Sequence, residues 1–252
     1  MKKLFPDMYN RISGGHIFCL VAYCFFGLVL LPGALPWIAD GYHSNDLVLS
    51  WLEMIGHAIN SVVIILILRE YLKDGLLDLR FALKSTLCTA LIAVVLMLVW
   101  LWIAPDVIAR FEPNLLYMSL DAFPLALPAT LMTSGYIVTA NPLFGTLLMT
   151  LLVPFSVCGL YYATSFAPLC CKKPVLGYLC VAAALLLATL FDYKFLWSEE
   201  VLFQFLVTLP VHLLACWTYQ KTDNIWTPII TLGMFNLAAS LFNNLVINVI
   251  YD

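Results

Sequence analysis

Charge is what this chain has least of. Aspartate, glutamate, lysine and arginine make up only 11% of its 252 residues, while 63% are hydrophobic; an ordinary soluble domain is nearer one quarter charged. The net charge of −3 supplies no basic field for nucleic acid. No Cys-x-x-Cys pair occurs, so a zinc knuckle or dithiol redox centre has no local signal. No His-Glu-x-x-His occurs either, which excludes a zincin-type helix as a local motif. The apolar runs lack the period-two alternation of a membrane barrel. No polar stretch between them is long enough for a separate soluble domain. No small-residue cleavage site follows the first run, which therefore reads as a retained helix and not a removable signal.

What is present is seven apolar runs, His16–Ala39, Leu47–Leu68, Ala82–Ala104, Leu143–Ala163, Pro174–Phe191, Val201–Tyr219 and Trp226–Ile250, with a mean hydropathy of +0.97 for the chain. Each approaches the length that crosses ~30 Å of hydrocarbon as a helix, where about 17 residues is the lower limit. Cations alternate between the connections. Lys2, Lys3 and Arg11 precede the first run; Arg69, Lys73, Arg80 and Lys84 lie between the second and third. Lys172 and Lys173 lie between the fourth and fifth, and Lys221 between the sixth and seventh; only Arg110 and Lys194 fall on the opposite side. The positive-inside rule then expects a cytoplasmic N-terminus and an outer C-terminus. The stretch Leu115–Val138 is apolar but interrupted by Asp121, Pro124, Pro128 and Gly135. Counted as a crossing it would reverse every later loop, so it reads as re-entrant or interfacial, with an eighth crossing as the alternative.

Polar groups at bilayer depth are costly and mark functional candidates. Glu53, His57 and Asn60 are spaced four and three residues apart, which puts them on one helical face. Gln204 and His212 lie in the sixth run; Asn236, Asn243, Asn244 and Asn248 lie in the seventh. A carboxylate with two histidines can act as a base or hold a divalent ion. The plainer reading is interhelical hydrogen bonding. Glu199 and Glu200 are the sole adjacent acidic pair; behind Ser198 they suit a helix N-terminus, with water activation as the functional alternative. Six cysteines, Cys19, Cys24, Cys88, Cys158, Cys180 and Cys216, lie within apolar runs and read as small hydrophobes. Cys170 and Cys171 sit beside two lysines, a setting that permits S-palmitoylation.

Three stretches of the C-terminal half have a familiar form. Asn141-Pro142 opens a helix reaching Val153-Pro154-Phe155-Ser156-Val157-Cys158-Gly159-Leu160-Tyr161-Tyr162-Ala163. Leu190-Phe191-Asp192-Tyr193-Lys194-Phe195 follows, and then Ala215-Cys216-Trp217-Thr218-Tyr219-Gln220-Lys221-Thr222-Asp223-Asn224-Ile225-Trp226-Thr227-Pro228-Ile229-Ile230. Together they resemble the CAAX-protease and bacteriocin-processing (CPBP, or Abi) family of intramembrane proteases. The family's last motif follows a Tyr-x-x-Thr-Gly turn and a Trp-x-Pro helix start, and the third stretch here is the most specific. On this resemblance the paired glutamates of the family fall on Val157 and Cys158, its arginine on Tyr162, and its middle histidine on Phe195. Its final histidine and asparagine fall on Leu232 and Asn236, so Asn236 alone keeps the family residue type. Placing the glutamate pair on Glu199 and Glu200, with Gln204 as the arginine, leaves too little chain for the later motifs.

The expected fold is all-α: one polytopic membrane domain over residues 1–252, with seven helices plus one re-entrant or eighth helix, and 141–252 as the family-like part. The expected function is a non-catalytic relative in a plasma membrane, which the resemblance makes bacterial. It would bind a hydrophobic peptide, a lipid-linked peptide or a membrane partner, with no cofactor, metal or nucleic acid. The alternatives are an active intramembrane metalloprotease with a relocated site at Glu53, His57 and His212, and a small transporter or channel subunit.

Overall fold

The computed structural model describes residues 18, 21–23, 46–111, 148–170, 173–192 and 195–251. Among these there is no strand. Most of the first apolar run, the interrupted stretch Leu115–Val138, the Asn141-Pro142 pair, and Cys19, Cys24, Cys171, Lys172 and Lys194 lie outside the described residues. The helices are α1 (Asp46–Phe111), a composite helix α2 (148–170), α3 (Pro174–Asp192), α4 (Glu199–Thr222) and α5 (Trp226–Tyr251). Among the described residues, two stretches are long and apolar enough to cross a membrane, Tyr71–Ala104 and Val201–Thr222; three shorter apolar helices there are Met54–Arg69, Pro174–Leu190 and Trp226–Ala239.

The second and third apolar runs are not joined by a loop. They belong to one 66-residue helix, broken at Leu68 (φ −109°, ψ 19°). The cations Arg69, Lys73, Arg80 and Lys84 are therefore carried on helix. No proline or glycine stands near the break, which is where kinks usually arise. Tertiary contacts hold the chain just past it instead. The Tyr71 and Tyr219 hydroxyls share a 2.7 Å hydrogen bond, and the Trp226 indole donates to the Leu72 carbonyl at 3.0 Å.

Local chemistry explains most helix ends. Pro174 opens α3, at a position where its missing N–H costs nothing. Ser198 caps α4, its side chain accepting from the Val201 N–H at 3.4 Å, as its sequence position predicts. Asn224 accepts from the Trp226 N–H at 2.9 Å to start α5, and its own amide donates to the Gly75 carbonyl at 2.7 Å. A cap is thus also a tie between α1 and the α4–α5 turn. Asp223 ends α4 in the left-handed conformation (φ 55°), which a short polar side chain tolerates.

The helices run antiparallel in a consistent way. Tyr178, early in α3, donates to Gln220, late in α4. Trp100 donates to the Val207 carbonyl, and Ala104 and Ile108 pack on Phe203 and Val207, so the far end of α1 meets the early half of α4. Phe155 of α2 faces Trp226 of α5 at 6.0 Å, and Thr150 lies against Gly233. Three charge-bearing stretches (68–75, 173–178 and 219–226) therefore share one end of the bundle. The main core lies between these helices and includes Ile64, Met97, Tyr162, Phe166, Val181, Tyr219 and Phe235. Outward-facing side chains are also apolar along much of α1, among them Ile59, Leu66, Leu91, Val95 and Trp102.

Candidate functional site, a polar seam along a broken helix

The centre of the bundle is α2, and it is irregular. Leu148–Leu152 is π-helical, Val153–Val157 α-helical, Cys158–Phe166 π-helical, and Ala167–Cys170 α-helical again. At the third change the Ala167 N–H bonds the Tyr162 carbonyl five residues back. Pro154 has no N–H to give, so the turn around it cannot keep the usual ladder. Such widened turns occur frequently at functional sites. Here they re-aim two polar side chains of α2 that regular α geometry would place differently.

Those two side chains hold His57 and His212. His57 Nδ1 and Ser156 Oγ share a hydrogen bond of 3.1 Å, across 99 residues of sequence. His212 Nδ1 and the Tyr162 hydroxyl share one of 2.9 Å, across 50 residues. Ser156 and Tyr162 are completely buried and both imidazoles nearly so. Close approach is allowed by Gly159 between them, where a Cβ would stand 2.5 Å from the Ile64 side chain. One turn along α1, Asn60 accepts from the Tyr23 hydroxyl at 3.2 Å. Ser61 donates to the His57 carbonyl.

The candidate residues divide clearly. His57 and Asn60 do share a buried face of α1, as their spacing predicts. The third member of that face, Glu53, is on the helix, but its side chain lies outside the described residues. The two histidines are on different helices and bind different hydroxyls of α2. Six residues separate those hydroxyls, about 9 Å at ordinary helical rise. Gln204 and Asn236 are buried, and Glu199 is exposed at the start of α4. The side chains of Glu200, Asn243, Asn244 and Asn248 lie outside the described residues. Among the described residues no group of three His, Cys, Asp or Glu side chains could hold a metal ion.

Of the six positions that carry the family resemblance, Val157, Cys158, Tyr162, Leu232 and Asn236 are buried within the bundle. Phe195 does not join them. It is 58% exposed on the α3–α4 connection, with φ at 58°. Cys170 is buried beside Gly177, so its thiol is not offered for acylation as its neighbouring lysines suggest. Cys158 and Cys216 are fully buried small apolar groups, but Cys88 faces outward.

Chemically, each pair of the seam joins an imidazole Nδ1 to a hydroxyl. Sequence reading missed Ser156, Tyr71, Tyr178, Gln220 and Asn224 as tertiary partners. Only Asn224 carried a local signal, as a capping residue ahead of Trp-x-Pro. No family model, no curated protein and no solved structure matches the chain.

Proposed function

We propose that this chain is a polytopic membrane protein without proteolytic activity, built on a scaffold like that of the CAAX-protease and bacteriocin-processing proteins. In this reading seven helices cross the bilayer, with one further re-entrant or crossing segment. The N-terminus is cytoplasmic in a bacterial plasma membrane. The protein holds a hydrophobic peptide, a lipid-linked peptide or a partner helix against the bundle. Exposed apolar side chains along α1 and the scarcity of charge support the membrane setting.

One observation carries the non-catalytic half. Val157, Cys158 and Leu232, where the family resemblance would place charged or imidazole groups, are buried apolar side chains in the core. The hydrocarbon side chains of Val157 and Leu232 cannot take a proton from water. Presented with prenylated or signal-like peptides, the purified protein is expected to return them intact. A photoreactive residue replacing Leu151, an exposed position on α2, is expected to capture them. Turnover that disappears in Glu199→Gln or His57→Gln overturns the first half; failure of capture in native membranes overturns the second.

A hydrolytic reading has one specific observation in its favour. Ser156 Oγ and His57 Nδ1 stand at the spacing of a nucleophile and its base. It requires Ser156 to become reachable, since the residue is fully buried. Labelling by a fluorophosphonate, lost in Ser156→Ala, would establish it; the non-catalytic reading expects no labelling.

A further inference from the structure

The stretch of α1 just beyond its break has a face that the bundle leaves uncovered. At 100° per residue, Lys73, Leu76, Leu77, Arg80, Phe81 and Lys84 fall on one side of the helix, at offsets of three, four, seven, eight and eleven. All six are exposed, Phe81 at 92%. Tyr71 and Gly75 lie on the opposite side, and the Leu72 and Gly75 carbonyls accept from Trp226 and Asn224 at the α4–α5 turn. Asp74 lies beside Phe81 on the flank of this stripe, and Asp78 lies nearer the opposite side.

Length places this face relative to a bilayer. Tyr71–Ala104 spans 34 residues, about 50 Å of helix, whereas the hydrocarbon core is ~30 Å thick. The uncharged stretch after Lys84 is sufficient to cross it. The first four turns therefore extend into the headgroup zone. They are joined there by Lys173, which precedes the exposed Val175 and Leu176, and by Lys221, whose ammonium lies 6.0 Å from the Trp217 ring. Cations interleaved with large apolar side chains on one exposed face suit a surface with anionic headgroups above and acyl chains below.

We propose that this end of the bundle is a binding surface for anionic lipid, with Lys73, Arg80 and Lys84 on headgroup phosphates and Leu77 and Phe81 among the upper acyl carbons. This rests on the membrane reading above and adds to it a lipid preference and the residues that set it. A cation near an anionic leaflet is worth about fivefold in affinity, so three give on the order of a hundredfold.

The test uses the full chain in nanodiscs of phosphatidylcholine, with and without phosphatidylglycerol, counting retained lipids by native mass spectrometry. The wild type is expected to retain phosphatidylglycerol over phosphatidylcholine by on the order of tenfold to a hundredfold, and high salt should erase the preference. The triple variant Lys73→Gln, Arg80→Gln, Lys84→Gln should lose it, whereas Arg110→Gln, at the other end of α1, should keep it. Because the salt titration uses only wild-type protein, poor folding of the triple variant would not shield the proposal. Equal retention of both lipids, a preference that survives the triple change, or equal stabilisation by soluble polyglutamate in neutral discs overturns it. Release of the protein from native membranes by alkaline carbonate would instead overturn the membrane reading itself.

Discussion

Buried hydroxyls and imidazoles define the residue scale of this protein. Ser156→Ala and Tyr162→Phe each remove one partner of a histidine Nδ1, and each should cost ~1 kcal/mol of stability. The two pairs lie on separate turns, so the double variant should show the sum of the single effects in detergent unfolding. A coupling energy above about 0.5 kcal/mol would mean that both imidazoles belong to one network. Asp223 supplies a pH effect. Burial, and secondarily the nearby Asp78 carboxylate, push its carboxyl up from 3.8 to about 6. Its Oδ1 is buried without a described hydrogen-bond partner. A raised acid pKa means that the folded state favours the protonated form. Its contribution is then complete below about pH 4, declines as pH rises towards 6, and stays lost above that. Asp223→Asn keeps a residue suited to φ 55° and removes the titration. Its melting midpoint should exceed wild type at pH 8 and match it near pH 4. The side chain is half exposed, so the gain should be about 1 kcal/mol at most.

At the scale of elements, the irregular helix α2 and the broken helix α1 need their neighbours. Gly233 of α5 lies where a Cβ would be 2.5 Å from the Thr150 carbonyl oxygen, in the first π-helical stretch. Backbone cannot swing aside as a side chain can, so Gly233→Ala should be the costlier glycine change, by roughly 1–3 kcal/mol. At Gly159 the obstacle is the Ile64 side chain, whose Cδ1, Cγ2 and Cγ1 would stand 2.5, 2.9 and 3.0 Å away, and side-chain atoms shift more readily than backbone. Gly159→Ala should therefore cost less, and Ile64→Val should recover part of the loss. Equal costs at both sites would contradict this view of the seam. The α4 cap at Ser198 was legible in the sequence, because a cap is chemistry between residues two or three apart; Asn224 carried the same kind of local signal and was not read. The break at Leu68 and the π-helical turns of α2 were not legible. No breaker residue stands near Leu68, and the contacts just past it come from Tyr219 and Trp226, far along the chain.

For the molecule as a whole, the arrangement of ends is the testable quantity. Lys173 and Lys221 belong to one end of the bundle and Trp197 to the other. Single-cysteine reporters at Lys173 and Lys221 should label from the same side of a sealed membrane, and one at Trp197 from the opposite side. Labelling of Lys173 and Lys221 from opposite sides would break the antiparallel pairing of α3 and α4 across the bilayer. The same grouping of ends explains how the cation pattern could be read so early. Charges that alternate between connections require alternate connections to meet, and the stretches around 71, 173 and 221 do meet. Phe195 shows the limit of such reading. A motif position inferred from resemblance stands on the surface, while the other five are inside.

Helicity, the near absence of charge and the alternation of cations were set by the chain alone, because hydropathy and backbone hydrogen bonding accumulate along neighbouring residues. Which hydroxyl meets which imidazole, where α1 breaks and which face of its first turns stays bare were decided by tertiary structure. Those outcomes depend on contacts between residues 50 to 154 positions apart. A buried polar group is satisfied by whatever the packing places beside it, and no local pattern encodes that choice.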